Sequence, residues 1–347
     1  MAFAAGATGR AGASAGVSAR LVAATGSDWH AVDSIGVEQL AGSITGWQQV
    51  YDQISPGRFQ GALTELLLGP AQLFVESSSH ALVQICKTWP QAVWFGIPAH
   101  DDHVGRIEGI RIERGMLAVR TGRSDFQLTT PDNFSFLGVV VDVSALQAHG
   151  EFGGADLPDR LADERVLKVP EADLNAFRQW LRCVLHAGSV GHTNELAPAA
   201  RAQIVDDALS RLVPLLMRRS RPATERVSCR HARRIVARTR EYLMANDDRA
   251  VTVQELCAQL GTSRRAVQDC FQRSIDLSPK AYLRAFALNA ARRELQRRDS
   301  PLRTVGDVAG RYGFWHFSQF ATDYRRLFHE LPSQTLRQRG ESDPRSP

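Results

Sequence analysis

One pattern occurs twice in the last third of the chain. Thr252 opens the first copy and Gly261 closes it, and Thr304 and Gly313 do the same in the second. The match continues past each glycine at an offset of 53 residues, which aligns Val267, Phe271 and Pro279 with Phe320, Tyr324 and Pro332. The opening threonines are only 52 residues apart, so the second turn holds one extra residue. Each copy predicts a helix, a tight turn and a second helix.

The basic residues are concentrated in the same part of the chain. Residues 218–347 carry 26 Lys and Arg against 14 Asp and Glu, a net charge of +12, whereas residues 1–217 carry 16 against 23, a net of −7. Only three of the basic residues are lysines, and arginine suits forked contacts with phosphate and guanine. A solvated charged surface explains the charge but not the repeat. A repeated helix-turn-helix on a basic segment predicts double-stranded DNA as a partner.

Composition bounds the class of protein. A chain of 347 residues with 44% hydrophobic residues can bury a substantial core, and its length suggests two domains. Five cysteines without CxxC spacing argue against a disulfide framework or a structural zinc site. No apolar run approaches a membrane span of roughly 20 residues, and the Ala/Gly/Ser-rich start lacks the apolar region of a signal peptide. We expect a cytoplasmic protein.

The chain divides into an α+β arrangement. Short apolar runs between Gly, Pro and Asp from about residue 29 to 149 predict strands of a β-barrel or sandwich. Residues 171–187 and 200–217 have apolar side chains at helical spacing, which fits a dimer seam or packing against the chain's own barrel equally well. The predicted parts are a disordered tail at 1–28, a sensor and dimerisation domain at 29–217, a linker at 218–230, a DNA-binding domain at 231–338 and a disordered tail at 339–347.

The first repeat unit predicts one DNA-facing helix. Thr252 and Glu255 have the spacing of a capping box, and Leu256, Ala258 and Leu260 are expected to face inward. After the turn at Gly261, Ser263 can cap the next helix, whose buried stripe is Val267, Cys270 and Phe271. The opposite face has side chains that can pair with base edges or phosphates, namely Ser263, Arg264, Arg265, Gln268, Asp269 and Gln272.

A long helix from Pro279 to about Gln296 is expected to join the units in fixed register, with Arg284 and Arg292 also assigned to DNA contact. In the second unit, Phe317, Phe320, Tyr324 and Phe328 form the predicted buried stripe. The remaining face carries the second predicted set of DNA contacts, with the arginines placed for phosphates: His316, Ser318, Gln319, Thr322, Arg325 and Arg326.

These motifs resemble the AraC/XylS family of bacterial transcription regulators, whose DNA-binding domain has two helix-turn-helix units joined by a long helix. The resemblance covers about residues 233–338 and rests on Leu260-Gly261-Thr262-Ser263, Ser278-Pro279-Lys280-Ala281-Tyr282, Ala291-Arg292-Arg293-Glu294-Leu295 and Val308-Ala309-Gly310-Arg311-Tyr312-Gly313-Phe314. The glycine usual before each proline motif is Asp276 in the first unit and His329 in the second. Both residue types tolerate positive φ better than most.

The resemblance implies a cupin-like β-barrel sensor domain in the amino-terminal part, without identifying its effector. Phe59, Phe74, Trp94, Phe95 and Phe126 fit either a pocket lining or, more in keeping with barrels, a core. His100-Asp101-Asp102-His103 offers metal-compatible side chains but no partners at strand spacing, so a polar surface loop is favoured over a metal site. No fingerprint of a hydrolase, nucleotide or dinucleotide site is present, and we expect no enzyme activity and no cofactor.

The sequence therefore predicts a sequence-specific DNA-binding transcription regulator, an activator by its resemblance, controlled by a small-molecule effector or partner at the amino-terminal domain. RNA polymerase and a second copy of the chain are further expected partners. The alternative is a non-specific basic module that binds nucleic acids or proteins. Sequence preference and the dependence of binding on salt separate the two.

Overall fold

A β-rich body forms the amino-terminal half of the protein. The computed structural model describes residues 27–102, 104–149, 161–190, 195–220 and 227–341. Its strands are β1 Trp29–Ser34, β2 Gln48–Gln53, β3 Gly61–Leu67, β4 Ala71–Ser78, β5 Leu82–Lys87, β6 Ala92–Pro98, β7 Gly105–Ile107, β8 Ile110–Ile112, β9 Met116–Thr121, β10 Phe126–Thr130, β11 Phe134–Asp142 and β12 Val166–Lys168.

The strands form two antiparallel sheets. One has the order β1-β3-β4-β11-β6-β9-β12 and the other β2-β5-β10-β7-β8. Alternate side chains of both sheets meet in one core, where Trp94 stacks on Phe126 with ring centroids 4.9 Å apart and on Phe136 at 5.6 Å. The α+β class is confirmed, and of the predicted β-barrel or sandwich the strands form two packed sheets that do not close into a barrel. Each sheet keeps its own edge strands, because no ladder in the described residues joins one sheet to the other.

Helices cover the body and build the carboxy-terminal domain. They are α1 Val37–Ala41, α2 Val143–His149, α3 Glu171–Val190, α4 Pro198–Met217, α5 Val227–Met244, α6 Val253–Leu260, α7 Arg264–Ile275, α8 Pro279–Gln296, α9 Val305–Arg311, α10 Phe317–Phe328 and α11 Pro332–Glu341. Among the described residues, no helix is long and apolar enough to cross a membrane.

Helices α3 and α4 lie on the outer face of the seven-stranded sheet. Leu174, Phe177 and Leu181 of α3 are fully buried in one cluster with Leu66 and Phe95 of the sheet. The apolar stripes of both helices are thus used within the chain, as one of the two alternatives predicted. A homodimer stays a prediction, and it needs a surface other than these stripes.

The carboxy-terminal domain has two apolar clusters, one for each repeat unit. Val267 and Phe271 belong to the first cluster, and Phe320 and Tyr324 belong to the second. The long helix α8 has the predicted bounds, Pro279 to Gln296. Helix α5 begins at Val227, inside the linker expected at residues 218–230, so it takes up part of that linker.

The ends of the predicted domains also shift. Residues 1–26 and 342–347, which make up most of the two predicted tails, lie outside the described residues. Asp28, placed by the prediction in the first tail, is buried and accepts hydrogen bonds from Leu196 N at 2.6 Å and Arg201 Nε at 3.0 Å. The folded body therefore begins before residue 29.

Polar side chains tie the two sheets together inside the body. The Glu76 carboxylate on β4 accepts hydrogen bonds from Tyr51 Oη on β2 at 2.7 Å and from Gln84 Nε2 on β5 at 2.8 Å. Burial raises the pKa of Glu76 to about 7, although both hydrogen bonds act in the opposite direction. This carboxyl is a proton-binding group in the middle of the β body.

Candidate nucleic-acid interface

The first repeat unit is built by local caps. Thr252 Oγ1 accepts a hydrogen bond from Glu255 N at 3.2 Å, and Ser263 Oγ accepts one from Ala266 N at 3.2 Å. Gly261 has φ 62°, a left-handed conformation that a side chain disfavours and that ends α6 before the turn. The predicted caps Thr252 and Ser263 and the turn at Gly261 are confirmed, but the Glu255 carboxylate of the predicted capping box bonds to Tyr242 and Arg249.

The Glu255 carboxylate makes a contact that the sequence did not suggest. It accepts hydrogen bonds from Arg249 and from the Tyr242 hydroxyl. These bonds lower the pKa of Glu255 to about 2. The carboxylate thus links the end of α5 to the first turn of α6 and orients the start of the unit.

Helix α7 buries one face and exposes the other. Val267, Cys270 and Phe271 are buried as predicted, whereas Ala258 of the preceding helix is exposed instead of facing inward. All six predicted DNA contacts are exposed: Ser263, Arg264, Arg265, Gln268, Asp269 and Gln272. Gln272 Nε2 donates to Asp276, and Ser263 is the helix cap. Arg264, Arg265 and Gln268 have no hydrogen-bond or ion-pair partner within the described part of the chain.

The second repeat unit has the fuller capping box. Thr304 Oγ1 accepts from Asp307 N at 3.1 Å, and the Asp307 carboxylate accepts from Thr304 N at 3.1 Å. The chain then turns at Gly313, which has φ 79°. Phe320, Tyr324 and Phe328 are buried, and the Tyr324 hydroxyl lies 2.8 Å from Thr335 Oγ1. These contacts fix α10 in the unit.

The outer face of α10 differs from the prediction at its first turn. Phe317 was expected in the core but is 56% exposed, and the preceding Trp315 is 80% exposed. The predicted DNA contacts His316, Ser318, Gln319, Thr322, Arg325 and Arg326 are all exposed. Gln319 Nε2 donates to both carboxylate oxygens of Asp323 at 3.1 Å, and Thr322 Oγ1 donates to Ser318 O at 2.9 Å. Gln319 and Thr322, two of the predicted DNA contacts, therefore already form hydrogen bonds within α10.

The two arginines assigned to the long helix have contacts inside the protein. Arg284 is half-buried and forms an ion pair with Asp323 of α10, which joins the long helix to the second recognition helix. Arg292 is only 8% exposed and pairs with Glu330 at 3.2 Å and Glu38 at 3.6 Å, while its guanidinium lies 4.7 Å from the Phe328 ring centroid. In this arrangement Arg292 is enclosed, so it is not available for the predicted DNA contact.

Comparison with known proteins places this domain. Residues 256–338 match the family described as a helix-turn-helix domain. The chain is 34% identical over 97 residues to the probable thc operon regulatory protein of Rhodococcus erythropolis. This matched region is 28% of this chain and 29% of that protein. It is 28% identical over 148 residues to the XylDLEGF operon transcriptional activator 3 of Pseudomonas putida, and this matched region is 43% of each chain. The chain belongs to the AraC/XylS family.

A solved structure agrees with this assignment at the level of sequence. The chain is 37% identical to a probable AraC family transcriptional regulator from Rhodopseudomonas palustris, with 30% of this chain and 97% of that one covered and a TM-score of 0.28. The chain spans less than half the length of the two curated relatives above. The similarity to these two relatives therefore covers only part of this chain and part of each relative.

In this AraC/XylS family member the β body is docked directly on the long helix. The Asn289 side chain accepts from Gln53 N at 3.0 Å and donates to Gln53 O at 2.9 Å, as a neighbouring strand would on the edge strand β2. Arg293 Nη1 lies 2.7 Å from Asp52 Oδ1. Burial raises the pKa of Asp52, and the charge of Arg293 opposes this shift.

The β body also contacts each repeat unit. In the second unit, the Leu327 carbonyl at the end of α10 accepts from Gly57 N at 3.0 Å and from Gln53 Nε2 at 2.9 Å. In the first unit, Val83 of β5 packs in the same cluster as Ile235 and Phe271. The outer face of the five-stranded sheet therefore holds both units and the helix between them. An asparagine among apolar residues of α8 was the one sign of this contact in the sequence.

The amino-terminal aromatic residues form core. Phe59, Phe74, Trp94, Phe95 and Phe126 are all buried in the two clusters of the β body. Open clefts lie elsewhere, and one of about 620 Å³ separates Val75 and Leu137 of the sheet from Arg182, Cys183 and His186 of α3. In the loop at residues 100–103, Asp101 pairs with Arg178, and His103 lies outside the described residues. No cluster of metal-binding side chains occurs among the described residues.

Proposed function

We propose that the chain is a sequence-specific DNA-binding transcription regulator that acts as an activator. The main supporting observation is the pair of recognition helices. Each has exposed polar or basic side chains, and each is fixed to the long helix α8 by buried aromatic residues. Two such helices joined in fixed register suit successive major-groove segments on one side of a duplex, about 34 Å apart. The relatives are described as an operon regulatory protein and a transcriptional activator, which supports the same function.

Hydrogen bonds from the first recognition helix would read base edges. Arg264 and Arg265 can donate in pairs to guanine, and the Gln268 amide can both donate to and accept from adenine. Because the described residues offer these donors no partner, base contact would replace water contact without breaking a bond among those residues. The exposed Arg325 and Arg326 near the end of α10 suit phosphate contacts, which position the protein without reading sequence.

Control by the β body follows from its contacts with the DNA-binding domain. The hydrogen bonds of Asn289 and Leu327 to β2 and the Arg293–Asp52 ion pair hold the two units in one arrangement. A small-molecule effector or a partner such as RNA polymerase would act by binding more tightly to one arrangement than to another. A homodimer would add a second pair of recognition helices at the operator.

The test begins with selection of a preferred site from random duplexes by the full-length protein. Binding of that site and of a scrambled duplex is then measured by fluorescence anisotropy between about 50 and 200 mM salt. Gln268→Ala is expected to weaken the preferred site by about ten-fold and the scrambled duplex hardly at all, since each good base contact is worth roughly 1–3 kcal/mol. Arg325→Ala is expected to weaken both equally and to lower the salt slope by about one.

The same experiment distinguishes the alternative function. Selection that yields no preferred sequence, together with a steep salt dependence, would identify a non-specific basic module. Equal losses on both duplexes for Gln268→Ala would remove that residue from base reading.

A further inference from the structure

The two recognition helices present different chemistry at equivalent positions. The 53-residue offset aligns Arg264, Arg265, Gln268 and Asp269 of α7 with Phe317, Ser318, Ala321 and Thr322 of α10. Every one of the first four side chains is charged or an amide, whereas the second set holds an aromatic ring, two small polar residues and a methyl group. The units share a fold but not a reading surface.

The aromatic part of this surface is prominent. Trp315 and Phe317 are 80% and 56% exposed and flank His316, the residue that precedes α10. The Phe317 ring lies beside Gly306 at the start of α9, where an added Cβ would be 3.8 Å from Cζ of the ring. The ring therefore rests against the preceding helix in a defined place. Two large exposed apolar side chains so close together mark a surface that a partner covers.

Nearby polar groups are mostly satisfied within the helix. The Gln319 amide nitrogen is held by Asp323, which also pairs with Arg284. The Thr322 hydroxyl donates to the Ser318 carbonyl, which leaves its methyl group as the unengaged part of an exposed side chain. The first two turns of α10 thus offer apolar contacts and few free donors.

We propose that the second recognition helix reads thymine through its 5-methyl groups, with the Phe317 ring as the main contact and Trp315 and the Thr322 methyl beside it. This proposal rests on the proposed function. Thymine is the base that carries a methyl group in the major groove. A phenyl ring gains by covering that methyl, but it leaves the polar edge of guanine, adenine or cytosine without a hydrogen-bond partner. The ring therefore favours thymine twice over.

DNA fits this surface better than a protein partner does. The same helix ends with the exposed Arg325 and Arg326, and Arg284 lies behind it on α8. An apolar tip followed by arginines matches a groove floor flanked by phosphates. The consequence is an asymmetric operator: one half is read by hydrogen bonds and the other is rich in thymine.

The test uses synthetic duplexes of the selected site in which each thymine is replaced in turn by deoxyuridine, which pairs identically but lacks the methyl group. Wild-type protein is expected to lose affinity by about four-fold for each contacted methyl, as follows from roughly 0.8 kcal/mol per buried carbon. The losses should fall in one half of the site. At the thymine with the largest loss, Phe317→Ala should bind the thymine and uracil duplexes alike, whereas the control Arg325→Ala should keep the difference.

The possible results distinguish failure of thymine-methyl recognition from failure of the proposed sequence-specific DNA binding. A site that is selected and bound equally with thymine or uracil overturns methyl reading and leaves sequence-specific binding intact. The same result combined with loss of transcriptional activation by Phe317→Ala would assign the aromatic pair to a protein partner, against the proposal. Failure to select any site would overturn both. Because the uracil duplexes are tested with wild-type protein, the result does not depend on how a variant folds.

Discussion

The buried carboxyl of Glu76 makes the stability of the β body depend on pH. Glu76 lies between the two sheets, where its hydrogen bonds within the described part of the chain come from the Tyr51 hydroxyl and the Gln84 amide. Burial raises its pKa from 4.5 to about 7 in the folded protein. Folding therefore favours the protonated carboxyl, and ionisation of this group costs the folded state more than the unfolded state.

The sign and size of the effect follow from this shift. Below pH 4.5 the carboxyl is protonated in both states and adds no pH dependence. As the pH rises from 4.5 through 7, the unfolded chain releases the proton first, and the folded state loses stability until both states are ionised. A shift of that size corresponds to about 3 kcal/mol, at roughly 1.4 kcal/mol for each pKa unit.

Glu76→Gln removes this titration while keeping a side chain of the same shape. Its amide oxygen can accept from Gln84, and its NH2 group can donate to Tyr51. Urea unfolding of both proteins at pH 5 and pH 8, followed by tryptophan fluorescence, gives the difference in unfolding free energy at each pH. Relative to wild type, the unfolding free energy of Glu76→Gln should be higher at pH 8 than at pH 5 by about 3 kcal/mol.

A matched control is Glu113→Gln, which removes a half-exposed carboxyl paired with Arg111 on the surface. Its difference from wild type should stay nearly constant over the same range, because exposed ion pairs contribute little. If Glu76→Gln behaves like this control, the carboxyl is hydrated or paired in solution in a way that the structure does not contain, and the reasoning from burial fails.

Two further predictions concern the carboxy-terminal domain. Asn289→Ala leaves the buried backbone N–H and carbonyl of Gln53 without partners, so urea unfolding should show a loss of about 1–3 kcal/mol. A stability equal to that of wild type would show that water replaces the Asn289 amide at the Gln53 backbone. His329 ends α10 with φ 54°, a strained conformation for any residue but glycine, so His329→Gly should raise the thermal midpoint by a few degrees, from about 1 kcal/mol. A lowered midpoint would mean that the His329 side chain stabilises the helix end more than its backbone strains it.

Local rules predicted much of the DNA-binding domain. The caps Thr252 and Ser263, the turn at Gly261 and both ends of α8 follow from residue types within a few positions of each other. Even the departures from the family pattern were informative, since Asp276 and His329 stand where glycine is usual and both have positive φ. Such features depend on the backbone nearby and need no knowledge of the rest of the chain.

The errors arose where packing between distant segments determines whether a side chain is buried or exposed. Phe317 continues the spacing of Phe320, Tyr324 and Phe328. As the first residue of α10, however, it lies against the start of α9 and stays 56% exposed. Arg292 looked like a DNA contact because it is basic, and it is enclosed by Glu38 of the β body and Glu330. Helical spacing identifies the apolar face of a helix, but it does not show how much of that face the neighbouring segments cover. Closure of a sheet likewise depends on strand pairing across the whole domain.

The ladder between β2 and β5 connects the interior of the β body with the DNA-binding domain. Tyr51 lies opposite Gln84, and both side chains point inward to Glu76. The next pair, Asp52 and Val83, points outward, where one side chain binds Arg293 of the long helix and the other packs against the first repeat unit. Adjacent pairs of this ladder face opposite sides of the sheet and follow one another directly along each strand. Glu76 is therefore one residue pair away from the contacts that hold the recognition helices, a short path by which the effector proposed above would change DNA binding.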